Sequence, residues 1–195
     1  MSTVRHRASA GQPKPHEEGR RILSLLNARA GGDEPLPVEK ESGGRPFFSD
    51  GRADFNISHS RNMTAAAWVP SGRIGCDVQY LDPSKSYVQI SRRFFHSEEQ
   101  SCVEQAGEEG IRSFYRIWVL KEAWLKLHGL SVFDMAKAPL FSIGRGKGDF
   151  ESFLYELESP AGEKYMLALV RDHLCETEPE FLWFSERVLT IRDCL

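Results

Sequence analysis

The chain has 195 residues, of which 41% are hydrophobic and 27% are charged, so it can form one globular domain or two small ones with a real core. Its formal net charge of −3 is too small to argue for nucleic-acid or membrane-surface binding, and we expect neither. No apolar run approaches the roughly eighteen residues of a membrane span. Residues 1–16 are polar and lack the apolar centre of a secretory signal, so we expect a flexible tail and a cytoplasmic protein. The four cysteines have no C-x-x-C spacing, which favours free thiols.

The first predicted element is a helix over residues 17–29. Ile22, Leu25 and Leu26 recur there at helical spacing, and two glycines follow as a stop signal. Residues 33–54 are rich in proline, glycine and charge, and they predict an extended connection.

Two strands are expected next. A short apolar stretch at residues 55–58 precedes a strand of small residues at 63–69. The turn signal Pro-Ser-Gly at 70–72 then leads into a strand of alternating residues at 73–80. We expect the strands at 63–69 and 73–80 to pair as a hairpin, with the turn as the boundary between two halves of the chain.

The remainder of the chain mixes helices and strands. Helices are predicted from Asp82 towards residue 95, from Ser97 with Gln100 in a capping box, and over residues 114–128 before Gly129. Strands are predicted at residues 140–143, 151–157, 165–170 and 181–184. This order predicts an α+β fold with antiparallel strands.

The predicted helix at 114–128 carries charges where none are expected. Its apolar residues point in every direction, which is typical of a buried helix. It nevertheless contains Lys121, Glu122 and Lys126, and a buried charge is costly unless it is paired or holds an ion. Glu122 and Lys126 could form an ordinary i,i+4 pair, or the three charges could line a cleft that binds a cation and phosphate oxygens. Composition leaves both interpretations open.

The strand at 73–80 presents an acid. Its alternation places Asp77 and Gln79 on one face, beside Gly75. Aspartate is depleted in strands, so its presence indicates either a solvated polar face or an oxygen ligand for a hard cation such as Mg²⁺.

Two loops offer further polar groups. His59 lies between Ser58 and Ser60 and could donate to a phosphate, although a histidine in a turn is more often a surface residue. Arg45 lies between a glycine and a proline on a rigid bend, which suits a phosphate contact, although most arginines in such positions are only solvated.

The order of these motifs resembles the signature blocks of 4′-phosphopantetheinyl transferases of the surfactin-synthetase-activating type. The three blocks are FNISHS at residues 55–60, IGCDVQ at 74–79 and WVLKEAWLK at 118–126. The GRP bend at 44–46 and the run RFF at 93–95 are similar to two weaker blocks.

The resemblance implies a fold and a domain division. Proteins of this type consist of two similar α+β halves in one monomeric chain, a pseudo-dimer of antiparallel sheets with packed helices. After the tail at residues 1–16, the halves would be an abbreviated N-terminal one at 17–71 and a C-terminal one at 72–195 that carries the metal site.

The resemblance also implies site residues. The groups expected to bind coenzyme A are Arg45, Asn56, Ser58, His59, Asp77, Lys121, Glu122 and Lys126. Asp77 and Glu122 would be the metal ligands, for Mg²⁺ or alternatively Mn²⁺, and Glu122 and Lys126 the catalytic residues. The basic residues that meet the adenine nucleotide cannot be placed, with Arg20 and Arg21 as candidates.

The implied reaction transfers 4′-phosphopantetheine from coenzyme A to a serine of an apo acyl- or peptidyl-carrier protein and releases 3′,5′-ADP. The family often has a second acid where this chain has Gln79. That departure and the short N-terminal half motivate an alternative hypothesis, in which the chain is a catalytically silent module that binds coenzyme A or a carrier protein. The sequence does not indicate which carrier is served.

Overall fold

The computed structural model describes residues 15–29, 32, 37–51, 53–141, 150–172 and 190–193. The helices are α1 Pro15–Arg29, α2 Tyr87–Phe94, α3 Ser97–Gln105 and α4 Gly110–Leu127, with 3₁₀ turns at Gly107–Glu109 and Val132–Lys137. The strands are β1 Val38–Lys40, β2 Pro46–Phe48, β3 Asp54–Ser60, β4 Met63–Val69, β5 Ile74–Tyr80, β6 Glu151–Glu158, β7 Lys164–Arg171 and β8 Thr190–Asp193.

All of these strands pair antiparallel, in three sheets. β1 pairs with β2, β3 pairs with β4, and the third sheet has four strands in the order β5-β7-β6-β8. The α+β class with antiparallel sheets and packed helices is therefore confirmed. The division into halves at residues 71 and 72 stays a prediction.

The hairpin expected from β4 and β5 is wrong. β4 pairs with β3 through a tight turn at Arg61 and Asn62, and Arg61 has a φ of +50°, in the left-handed region that such turns use. β5 pairs instead with β7, more than eighty residues later in the chain. A turn signal such as the one at 70–72 shows that the chain turns, but it does not decide which strand the next one joins.

β3 covers the free edge of β5 with side chains. Four alternate residues of β3 accept hydrogen bonds from four alternate backbone N–H groups of β5, at 2.8–3.2 Å. The acceptors, here called the side-chain ladder, are Asp54, Asn56, Ser58 and Ser60, and the donors are Ile74, Cys76, Val78 and Tyr80. An exposed strand edge invites unwanted pairing, and the ladder satisfies this one while it holds β3 in register with β5.

The main core lies between α4 and the four-stranded sheet. Buried residues of α4 such as Phe114, Leu120 and Ala123 pack with Met166 and Ala168 of β7. The helix predicted at 114–128 is thus confirmed, with its start four residues earlier, and it ends before Gly129, whose φ is +66°. Within the described residues, no helix combines the length and the apolar character that a membrane crossing requires.

Some of the other predicted elements are present and some differ from the prediction. The helix predicted at 17–29 and the strands predicted at 151–157 and 165–170 are present. The extended connection expected at 33–54 contains the short strands β1 and β2. Helix α2 begins at Tyr87, because the carboxylate of Asp82 accepts from Ser84 in a local turn instead of capping a helix.

The capping box of α3 lies one residue earlier than expected, with His96 as the N-cap and Glu99 as its partner. Residues 140 and 141 are not in a strand. The rest of that predicted strand, and the one at 181–184, lie outside the described residues.

Candidate functional site

A cleft of about 360 Å³ opens beside β3, β5 and α4. Its lining residues are Ile57, Ser58, His59, Asp77, Gln79, Lys85, Trp118, Glu122 and Lys126. Residues from all three signature blocks, which are up to about seventy positions apart in the sequence, therefore face one space. Five of the predicted site residues are among them: Ser58, His59, Asp77, Glu122 and Lys126.

Asp77 is the centre of the polar contacts in the cleft. Lys126 Nζ lies 2.6 Å from Asp77 Oδ1 and 2.9 Å from Ser58 Oγ, and Ser58 Oγ donates to the same carboxylate oxygen over 2.9 Å. Gln79 Nε2 donates to the other oxygen, Asp77 Oδ2, over 3.2 Å. The Asp77 side chain is 2% exposed and that of Lys126 is 28% exposed, so Lys126 is the more accessible member of the pair for an incoming ligand.

The charge of Lys126 is stabilised by this arrangement. Burial opposes the charged ammonium, but the attraction and hydrogen bond of Asp77 outweigh burial, and the pKa of Lys126 is raised. The simple i,i+4 pair of Lys126 with Glu122 is not what forms, since the ion pair of Lys126 is with Asp77 on the neighbouring strand.

Gly75 explains why β5 and α4 approach so closely. A Cβ atom at this position would lie 1.9 Å from the carbonyl oxygen of Ala123 and 2.8 Å from the backbone nitrogen of Leu127. Only glycine leaves room for the helix backbone to lie against the strand. The residue two positions before Asp77 thus sets the distance at which Asp77 meets the last two turns of α4.

Glu122 is the second carboxylate of the cleft. Burial and the nearby negative charge of Asp77 raise its pKa to about 7, and the positive charges of Lys126 and Lys85 only partly offset this. A group that titrates near neutral pH in a cleft is a candidate for proton transfer.

The two acids also suit a divalent cation. Within the described part of the chain, no three His, Cys, Asp or Glu side chains cluster as a ready-made metal centre. Mg²⁺, however, usually binds through one or two carboxylates and takes its remaining ligands from water and substrate phosphates. Both carboxylates line the cleft, and the negative charge of Asp77 is the second cause, after burial, of the raised pKa of Glu122. A nearby cation would favour the charged forms of both acids. The residues present therefore fit such an ion.

Lys121 lies away from the cleft. Its ammonium group is 3.1 Å from Glu99 Oε2 of α3, both side chains are completely buried, and it also donates to the carbonyl of Pro139. Burial lowers the pKa of Lys121, against the attraction of Glu99. This places one lysine of the third block in the interior.

Arg45 and Asn56 are also engaged elsewhere. The Arg45 guanidinium is 4% exposed and pairs with Asp54, and Asn56 Oδ1 accepts from the backbone of Cys76 in the side-chain ladder. A direct contact with a ligand stays a prediction for Arg45, Asn56 and Lys121, and the described geometry gives each of them protein partners instead.

Lys85 is the cleft residue that the motifs did not indicate. Its Nζ lies 5.7 Å from the centre of the Trp118 ring and 5.8 Å from that of Tyr115, within the range of cation–π attraction. Among the described residues it makes no ion pair within 4 Å. Its segment, between β5 and α2, has no distinctive pattern in the sequence, so only the fold shows that this lysine faces the cleft.

The fold and the cleft together define a class of α+β proteins. In this class an acid on a strand and an acid and a lysine on a helix, which belong to an ordered set of sequence blocks, line one cleft. The family model described as the 4′-phosphopantetheinyl transferase superfamily matches residues 73–175, more than half of the chain. The chain belongs to this superfamily. The expectation drawn from the three blocks is confirmed on this point.

Curated relatives agree with the family model. The chain is 35% identical over 118 residues to the 4′-phosphopantetheinyl transferase HetI of Nostoc sp., which covers 57% of this chain and 50% of the relative. It is 32% identical over 113 residues to AcpT of Salmonella typhimurium, covering 57% and 58%, and 26% identical over 136 residues to gsp of Aneurinibacillus migulanus, covering 69% and 53%. Both are also named 4′-phosphopantetheinyl transferases, and the matches span about half the length of these relatives.

Proposed function

We propose that the chain transfers the 4′-phosphopantetheine group of coenzyme A to a serine hydroxyl of an apo acyl- or peptidyl-carrier protein, with release of 3′,5′-ADP. The observation that carries the proposal is the meeting of Asp77, Glu122 and Lys126 in one cleft. The relatives named above as transferases of this group support it. The carrier that is served, a monomeric state and a cytoplasmic location stay predictions.

Asp77 and Glu122 are the residues that would hold Mg²⁺, or Mn²⁺ in its place. When bound there, the cation supplies positive charge that neutralises the diphosphate of coenzyme A. Gln79 keeps Asp77 oriented through its amide hydrogen bond.

The lysines of the cleft provide the fixed positive charge. Lys126 is already held at the Asp77 carboxylate and would meet phosphate oxygens on which charge increases as the bond to the leaving group breaks. Lys85 would add a second positive charge from the segment between β5 and α2. His59, which is exposed, would donate to the ribose phosphate. A phosphate contact of Ser58 stays a prediction, because its hydroxyl already donates to Asp77.

Glu122 would accept the proton of the incoming serine hydroxyl. In the cleft without a cation its pKa is about 7, so a substantial fraction is already deprotonated at neutral pH, and a bound cation would favour the carboxylate further. The serine oxygen then attacks the β-phosphorus of coenzyme A, the bond from that phosphorus to the bridging oxygen breaks, and 3′,5′-ADP leaves.

The test mixes the protein with coenzyme A, Mg²⁺ and several apo carrier proteins and measures carrier mass. We expect each accepted carrier to gain one phosphopantetheine group, and the same carrier with its serine changed to alanine to gain none. Failure with fatty-acid, polyketide and nonribosomal-peptide carriers alike would refute the transferase proposal.

A second candidate is a module that binds coenzyme A or a carrier without transferring the group. It is favoured by the amide of Gln79 in the cleft, which leaves two carboxylates there. Retained binding of coenzyme A without any carrier mass gain would support this module, whereas transfer at many turnovers per protein molecule would exclude it.

A further inference from the structure

The bend at residues 43–46 packs on the C-terminal end of α4. A Cβ atom on Gly43 would lie 2.9 Å from the carbonyl oxygen of Gly129, the residue that ends the helix, and Gly44 turns the chain with a φ of +84°. This close approach brings Arg45 beneath the last turn of α4 instead of to the surface, and its side chain is 4% exposed.

All three nitrogen atoms of the Arg45 guanidinium donate hydrogen bonds to acceptors within the protein. It pairs with both carboxylate oxygens of Asp54, with Nη1 2.9 Å from Oδ1. Nη2 also donates to the carbonyl of Ile74 over 3.0 Å, and Nε donates to the carbonyl of Lys126 over 3.0 Å. Asp54 in turn accepts the backbone N–H of Ile74 over 2.8 Å. A planar fork matched to a carboxylate in this way has little remaining capacity for an external phosphate.

These contacts join the three elements that build the cleft. Asp54 is the first residue of the side-chain ladder on β3, Ile74 begins β5, and Lys126 lies in the last turn of α4. The Lys126 carbonyl, in the last turn of α4, accepts a long backbone bond of 3.3 Å from Gly129 and a shorter one of 3.0 Å from Arg45 Nε. The bond from Arg45 therefore helps to fix the backbone from which the Lys126 side chain extends. The third residue of the same ladder, Ser58, contacts the Lys126 ammonium group.

The geometry points to Arg45 as a positioning residue. Its guanidinium binds Asp54 and the Lys126 carbonyl, and these contacts hold the Lys126 ammonium group against Asp77. Arg45 does not itself bind phosphate. This inference rests on the proposed function for its kinetic consequence. It assigns to the GRP bend a different role from the phosphate contact that its sequence suggests.

The kinetic test compares two fork variants, Arg45→Lys and Asp54→Asn, with Arg92→Lys, a control arginine of α2 that pairs with Glu104 of α3 at the surface. Both fork variants are expected to lower kcat by about 10- to 100-fold, because small displacements of a catalytic group have effects of this size. In a Lys126→Met background, Arg45→Lys should change kcat less than about twofold, because residues that act through one another are not additive. Rates are expressed per folded molecule from circular dichroism. A raised KM for coenzyme A would overturn the inference. So would an equal fold-change in kcat from Arg45→Lys in the wild-type and the Lys126→Met backgrounds.

A second measurement needs no enzymatic activity. In the ligand-free protein, the acylation rate of Lys126 by acetic anhydride is compared by mass spectrometry with that of the exposed Lys164. We expect Arg45→Lys and Asp54→Asn to raise the relative rate at Lys126 several-fold, since its ammonium group is no longer held on Asp77. The control Arg92→Lys should leave that rate unchanged. An unchanged rate in both fork variants would refute the positioning role, whereas absence of carrier modification by the wild-type protein would refute the proposed function only.

Discussion

Two lysines of α4 that are five residues apart end in opposite surroundings. Lys121 lies in the interior, 3.1 Å from Glu99, and neither side chain is exposed. Lys126 lies on the wall of the cleft, 2.6 Å from Asp77, with 28% of its side chain exposed. Five residues correspond to about 500° of helical rotation, so the two side chains leave the helix about 140° apart.

The comparison separates an ion pair of the interior from one that borders the cleft. Glu99 also accepts from the backbone of His96 and Phe141, so the interior pair ties α3 and the segment after α4 to the helix. Asp77 and Lys126 connect a strand to the helix but leave a charged group facing the cleft. A charge in a buried helix thus indicates that a partner exists, and only exposure of that pair to a cavity indicates a ligand site.

The largest expected effect lies on the cleft side. Glu122→Gln keeps the shape of the side chain but removes the proposed base, and we expect transfer to the carrier protein to fall by about 10²–10⁴-fold. The rate of carrier mass gain measures this loss, with Glu108→Gln on the exposed surface as the control. A rate near that of the wild type would remove Glu122 from the mechanism.

On the interior side the expected effect is on stability. Lys121→Met leaves the buried Glu99 carboxylate without its cation, and breaking a buried pair in this way costs about 3–5 kcal/mol. Urea unfolding should show this loss, and the double variant Lys121→Met/Glu99→Gln should recover part of it. Equal losses for Lys121→Met and Lys126→Met would erase the distinction between the two regions.

Glu122 also predicts a pH dependence of stability. Its pKa is about 7 in the folded chain against an ordinary 4.5, so between these values the folded state holds a proton that the unfolded state has released. The free energy of unfolding therefore falls as pH rises through this window, and the Glu122→Gln variant lacks that fall. At pH 8, without divalent cations, we expect the variant to be more stable than the wild type by roughly 1–3 kcal/mol, and at pH 4 to be equal. Thermal or urea unfolding of both proteins at the two pH values measures this difference. Equal stabilities of the variant and the wild type at pH 8 would contradict the raised pKa of Glu122.

Gln79→Glu sharpens the proposed metal role of the cleft. A third carboxylate beside Asp77 and Glu122 should lower the Mg²⁺ concentration that half-saturates transfer by about tenfold, because ligand charge tunes affinity for hard cations. Gln89→Glu, on the exposed face of α2, is the matched control. An unchanged Mg²⁺ titration would show that position 79 does not contribute to the metal site.

The smallest expected effect concerns Lys85. Lys85→Met removes a cleft charge that is not committed to a described carboxylate, and we expect affinity for coenzyme A to fall by about 3- to 10-fold, less at high salt. Calorimetric titration of coenzyme A measures this, with Lys164→Met on β7 as the control. Identical affinities of the two variants would leave Lys85 without a role in binding.

Much of the fold could be predicted because its signals are local. The periodicity of α1, α4, β6 and β7 places these elements correctly, since burial patterns repeat within each element. The pairing of β4 with β3 could not be predicted from the turn after β4. Strand pairing depends on the total packing of distant segments, here including β7, and no short stretch contains that information.

The amino-acid sequence by itself determined the class of the protein and the acids and lysine that face the cleft, because the blocks around Asp77, Glu122 and Lys126 specify chemistry through their residue types. The tertiary structure alone decided that Lys121 pairs in the interior, that Arg45 is held in a fork with Asp54, and that Lys85 joins the cleft. The reason is physical: whether a charged side chain meets a partner or a ligand depends on which distant element packs against it, and that is settled only when the whole core forms.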